Sequence, residues 1–190
     1  MSTTAQTVDL QEYKVDPAHS RVAFAVRHLG FSKVRGSFSS FDGTVRMEPG
    51  DLSTLEIQGT IEAKTVSTND EKRDAHLRSA DFFDVENYPK ITFTSTEVTD
   101  VNDDTFALVG DFSLHGETKR IELDAVFLGE TEDPWGGTRV GFEAGTKVNR
   151  KDFGLNWNVA LEAGGLLVSE QVELVLEIQA VLETDNQNEG

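Results

Sequence analysis

The chain has 190 residues, enough for one domain with a sizeable core, and its 17 Lys+Arg against 34 Asp+Glu give a formal net charge of −17. A field of that sign repels phosphate backbones and anionic lipid surfaces, which argues against nucleic-acid binding or membrane coating and in favour of solubility. The absence of cysteine excludes disulfides, thiolate nucleophiles and cysteine-ligated metals. No stretch approaches the roughly 20 apolar residues that span a bilayer as a helix, so no stable membrane insertion is expected.

In chain order, the first residues carry neither a basic region nor an apolar run, so no secretory signal is read and a cytoplasmic location is expected, or a periplasmic or secreted one only if a leader has been removed. Residues 1–9 and 183–190 are polar and are expected to be disordered tails around one domain spanning 10–182. Inside the domain the dominant pattern is alternation with period two, the mark of strands with one buried face. It runs through Val22, Phe24 and Val26; through Leu55, Ile57, Gly59, Ile61 and Ala63; and through Phe106, Leu108, Gly110, Phe112 and Leu114. It returns in Ile121 to Phe127, in Val140, Phe142 and Ala144, and in Val172 to Ala180. Shorter runs lie near Tyr13, 34–38, 41–47 and 91–98. Eight or more strands separated by turn residues predict an all-β antiparallel barrel or sandwich, and closure into a barrel removes exposed edges.

One segment departs from the alternation. Thr68 and Glu71 fit a capping box, and Asp70 and Glu71 followed by Lys72, Arg73 and Arg78 suit a helix dipole, so a short helix is predicted near 69–79. Phe82 and Phe83 in the irregular stretch behind it suggest a plug over one barrel end.

Small barrels either fill themselves with side chains or hold one small ligand. Gly36, Gly59 and Gly110 fall on the apolar parity; they either leave pockets between Phe residues or mark barrel corners with no ligand role. The candidates for ligand-binding walls, chosen for parity and bulk, are Phe24, Val26, Phe38, Ile57, Phe93, Phe106, Leu108, Phe112, Phe127, Phe142 and Trp157. Between Pro17 and Phe41 there is no acidic residue, yet His19, Arg21, Arg27, His28, Lys33 and Arg35 lie there. This segment either lines a mouth that meets a polar head group, with Arg27, His28, Arg35, Arg73 and His76 as candidates, or is a strand pair balanced by Glu173 and Glu177.

Catalytic motifs are lacking: no G-x-S-x-G elbow, no P-loop and no G-x-G-x-x-G after a strand. The four histidines show no metal-ligand spacing, and the run 100–104 reads as a hairpin turn. No catalytic residue, metal or cofactor is therefore assigned. His76 with Asp74 and Arg78 is the residual candidate for a polar site, either catalytic or a network that pins the helix.

Four stretches, taken in order, resemble the YceI-like family, whose members are also called polyisoprenoid-binding proteins. They are 13–38, with Tyr-Lys-Val-Asp-Pro-Ala-His-Ser at 13–20; 69–89, especially Arg73 to Val85; Leu114 to Lys119; and Asn149 to Leu155. The resemblance implies an extended lipocalin-like barrel, often a homodimer, whose apolar tunnel holds isoprenoid quinones, polyprenyl chains or fatty-acid amides and has no catalytic residues. The expected function is binding, sequestration or transport of an apolar lipid such as an isoprenoid quinone. The alternatives are a fatty-acid or fatty-amide binding stress protein, an enzyme acting on a small lipid through the His76 and His28 region, and a structural protein with a filled barrel.

Overall fold

The computed structural model describes residues 9–160, 162 and 167–183. Its strands are β1 (Gln11–Val15), β2 (Arg21–His28), β3 (Ser32–Phe38), β4 (Phe41–Glu48), β5 (Asp51–Glu62), β6 (Val66–Ser67), β7 (Lys90–Asn102), β8 (Thr105–Leu114), β9 (Glu117–Glu132), β10 (Thr138–Asn149) and β11 (Val168–Leu182). Every segment expected from alternation forms a strand. All pairings are antiparallel, and the order β1-β4-β5-β7-β8-β9-β10-β11 closes on itself through the β1–β11 pair, an eight-stranded barrel. The sheet continues past β11 into β2, β3 and β6.

That continuation shapes the molecule. Strand β11 spends its C-terminal end on β1, with Tyr13 opposite Leu182, and its N-terminal half on β2, with Val22 opposite Leu176. Strands β1 and β2 therefore run in succession along one partner, interrupted at residues 16–20. Pro17 opens a single 3₁₀ turn there, Pro17–His19, which Asp16 caps by accepting the Ala18 N–H. At the far side, Asp16 also accepts from Arg139 at 2.7 Å, which ties the bend to the β9–β10 hairpin.

The buried apolar residues fall into two clusters. One, at the closed end, contains Tyr13, Val45, Met47, Leu55, Phe106, Leu108, Leu123, Val140, Phe142 and Ala180. The other contains Val22, Phe38, Phe82, Phe83, Ile91, Phe112, Leu114, Phe153 and Leu155. Phe93, Ile121, Leu176 and Ile178 pack against both.

The helix α1 spans Glu71–Arg78, and its cap differs from the expectation. Asp70, not Thr68, is the N-cap: its carboxylate accepts the Arg73 N–H at 3.0 Å. Thr68 is buried and instead donates its N–H to the Asp74 carboxylate at 2.8 Å. A buried hydroxyl needs a partner more than an exposed helix end does, and Asp74 supplies one. The expected tails lie outside the described residues except for Asp9, which is exposed, and Glu183, whose N–H is held by the Glu12 carbonyl at 2.8 Å.

The glycines also correct a reading. Gly36 and Gly110 do not leave empty pockets. A methyl group at Gly36 would lie 2.3 Å from the Phe24 ring, and one at Gly110 would lie 2.5 Å from the Phe93 ring. Each glycine leaves the room that the ring of a phenylalanine on the adjacent strand occupies.

Candidate functional site: an apolar cavity beneath the helix

Between the two clusters and the helix lies a cavity of about 550 Å³, within the range of small-molecule sites. Its walls come from β2 and β3 (Val22, Phe24, Val26, Val34, Phe38) and from the inward residues Val172, Leu174 and Leu176 of β11. Phe93, Phe112, Ile121 and Leu123 form the end that meets the closed cluster. Helix α1 and the segment after it cover one side through Leu77, Phe82 and Phe83.

Aromatic rings set the walls. Phe24, Phe38 and Phe83 pack with centroids 5.7–6.5 Å apart. Trp157 lies 5.3 Å from Phe82 and 4.8 Å edge-on from His76. Two chain turns after the helix hold Phe82 and Phe83 inward: the Phe82 N–H bonds the Ser79 carbonyl, and the Phe83 N–H bonds the Leu77 carbonyl.

Polar groups reach the cavity at few points. Arg27, His28 and Ser32 line it at the β2–β3 hairpin; because Arg27 and Ser32 are exposed, the cavity meets the surface there. Arg73, His76 and Thr68 line it beside the helix. Arg73 folds back to donate to the Thr68 hydroxyl at 2.7 Å and carbonyl at 3.0 Å. His76 bonds Asp81 at 2.8 Å.

The deepest polar contribution is Arg150, which is 4 % exposed. Its guanidinium donates to the carbonyls of Ser169 and Trp157, both at 2.9 Å, and to those of Leu155 and Val168. It forms no ion pair among the described residues, and burial lowers its pKa below the ordinary arginine value. Neutral carbonyl dipoles take the place of a counter-ion. The result is a clasp that holds the turn Arg150–Phe153, the segment 155–157 and the start of β11 against one another around the cavity.

Ten of the residues chosen from sequence therefore border this cavity: Phe24, Val26, Phe38, Phe93, Phe112, Trp157, Arg27, His28, Arg73 and His76. Five do not. Ile57, Phe106, Leu108, Phe127 and Phe142 share the inward parity but lie in the closed cluster, where facing strands fill the interior. Arg35 is exposed on β3: its neighbour Val34 faces the cavity, so period two turns Arg35 outward. His76, Asp74 and Arg78 do not converge; they bond Asp81, Thr68 and the Lys64 carbonyl respectively. Lys33 is balanced by Glu173 at 2.7 Å, and that bond holds the Glu173 carboxyl below its usual pKa. Arg27 and Arg35 have no acidic partner within 4.0 Å among the described residues. Arg150 is not among the residues that the sequence nominates, since a charge beside an alternating run reads as outward-facing. Its place in the Asn149 to Leu155 stretch is the signal that points to it.

Comparison with known proteins agrees with this architecture. The YceI-like domain model matches residues 13–180. Protein YceI of Escherichia coli (strain UMN026) is 40% identical over 172 residues, 90% of this chain and 86% of that one. BcnA of Burkholderia cenocepacia superposes with a TM-score of 0.77 at 18% identity, over 87% of this chain and 99% of its own. A polyisoprenoid binding domain from Saccharophagus degradans, implicated in plant cell wall breakdown, gives a TM-score of 0.66 at 18% identity, over 90% and 98%. With the match running from the first barrel strand to the last, this chain belongs to the YceI-like family.

Proposed function

We propose that the protein is a non-catalytic carrier that binds one long apolar lipid of the isoprenoid type in this cavity. The observation that carries the reading is a continuous wall of Phe, Leu, Ile and Val side chains around about 550 Å³, with polar groups confined to the hairpin rim, the helix and the Arg150 clasp. Each buried methylene contributes about 0.8 kcal/mol, so roughly a dozen carbons supply on the order of 10 kcal/mol before entropic costs. Affinity then needs no specific polar chemistry. The Saccharophagus domain, named for polyisoprenoid binding, shares this fold and so supports the choice of ligand class. With polar groups at so few points of the lining, a neutral head group such as a quinone leaves fewer buried polar atoms without a partner than a pyrophosphate would.

Native mass spectrometry of protein from its own host tests the reading. A bound apolar mass released by organic solvent is expected, and Val172→Trp, which fills the cavity, is expected to lose it while the circular dichroism of the barrel stays unchanged. A protein free of any such mass, with Val172→Trp identical to wild type, would overturn the carrier reading. A fatty-acid or fatty-amide mass would replace the isoprenoid assignment.

A further inference from the structure

The tip of the β2–β3 hairpin does not look like a turn built only to reverse the chain. Its central residues are Leu29 and Gly30, with φ of 53° and 73°, and the Phe31 N–H bonds the His28 carbonyl at 3.1 Å. Positive φ at both central positions is the type I′ geometry, for which Asn-Gly is the favoured pair. Leucine is costly in that conformation. Here it is also 40 % exposed, and Phe31 beside it is 86 % exposed. Strain and solvent exposure of apolar surface thus coincide at adjacent residues. Val159, 46 % exposed, is joined to the same place through Leu167, which bonds both the Leu29 N–H and the Val159 carbonyl.

Charge and position say what this tip meets. Arg27 and Arg35 flank it without acidic partners within 4.0 Å among the described residues, and Lys33 with Glu173 adds a neutral pair. Arg27, His28 and Ser32 belong at once to the hairpin and to the cavity rim. We infer that the β2–β3 tip is a docking surface for an anionic lipid bilayer, on which Leu29, Phe31 and Val159 enter the interface, Arg27 and Arg35 meet head groups, and the cavity opens onto the lipid. An aromatic and an aliphatic group backed by cations is the composition that seats protein at a membrane surface.

The remaining acidity restricts this contact to the tip. Fields from distant carboxylates are screened over about 8–10 Å at physiological salt, so a local cationic end works on an acidic molecule. A second strongly exposed aromatic, Trp135 at 85 %, lies on the β9–β10 turn at the opposite end of β11, beside Glu130, Glu132 and Asp133. That end is repelled by an anionic surface.

The docking inference rests on the carrier reading for its purpose, but the two are separable by measurement. Co-sedimentation of the full chain with phosphatidylcholine vesicles, with and without phosphatidylglycerol, is expected to show binding that phosphatidylglycerol strengthens and salt weakens. Phe31→Ser is expected to weaken binding by about tenfold, the equivalent of one large apolar side chain, and Leu29→Asn, which relaxes the turn, to weaken it further. Arg27→Gln with Arg35→Gln is expected to abolish the preference for phosphatidylglycerol, and Trp135→Ser to change nothing. Extracted lipid content is expected to persist in the Phe31 variant and to vanish in Val172→Trp, which still binds vesicles. Vesicle binding that ignores Phe31, or sedimentation equilibrium showing that Phe31 joins two copies of the chain and not chain to vesicle, overturns the inference. Wild-type protein that carries no lipid yet still binds vesicles overturns only the carrier reading.

Discussion

Replacing Arg150 with methionine tests whether the buried guanidinium organises the cavity. The substitution keeps much of the apolar stem and removes the donors to Ser169, Leu155, Trp157 and Val168. An unsatisfied buried carbonyl costs on the order of 1–3 kcal/mol. Relief of the guanidinium's desolvation offsets part of that sum, because no carboxylate pairs with it. A net loss of about 3–5 kcal/mol is expected, a large share of the roughly 5–15 kcal/mol that stabilises a typical domain. In equilibrium urea unfolding followed by tryptophan fluorescence, the midpoint is expected to fall by roughly 2 M, taking a slope of about 2 kcal/mol per molar. Arg150→Lys is expected to recover little, since a single ammonium cannot reach carbonyls on both sides of the fork. An Arg150→Met protein within about 1 kcal/mol of wild type, or a lysine variant equal to wild type, would refute the clasp.

Two further outcomes follow from packing and charge. Gly36→Ala places a methyl group against the Phe24 ring, so a loss of about 1–3 kcal/mol is expected, with the ring displaced towards the cavity and lipid content reduced; Phe24→Leu in the same chain should restore much of both, as a double-mutant cycle would show. Asp16 is held at a pKa of about 2, against an ordinary 3.8, by its bonds to Arg139 and then His19. Because the folded value is the lower one, this stabilisation is complete above pH 4 and fades as pH falls towards 2. After solvent screening it amounts to on the order of 1 kcal/mol, and Asp16→Asn should lose it at pH 7 and flatten unfolding free energy between pH 4 and 2.

Period-two alternation made the strands and their buried faces legible, because the side-chain period depends only on backbone geometry. Phe24 and Phe106 obey it equally. They part company in three dimensions: Phe106 meets Phe142 across a filled interior, whereas Phe24 borders open space. Height along a barrel depends on pairing register, and register is a relation between strands distant in sequence. The same holds for Thr68, whose partner Asp74 displaced it from the helix cap, and for Gly36, whose occupant is a ring on the next strand.

The linear chain by itself determined the all-β antiparallel class, the short helix and the cation-rich stretch from Pro17 to Phe41, since each follows from local periodicity, turn chemistry or composition; closure into a barrel instead of a sandwich came from the family resemblance and the β1–β11 pairing. Only the tertiary structure decided where the interior stays open and that Arg150 turns inward to clasp it. A cavity is the space that several strands leave between them, and a buried charge is tolerated only where the surrounding carbonyls converge on it.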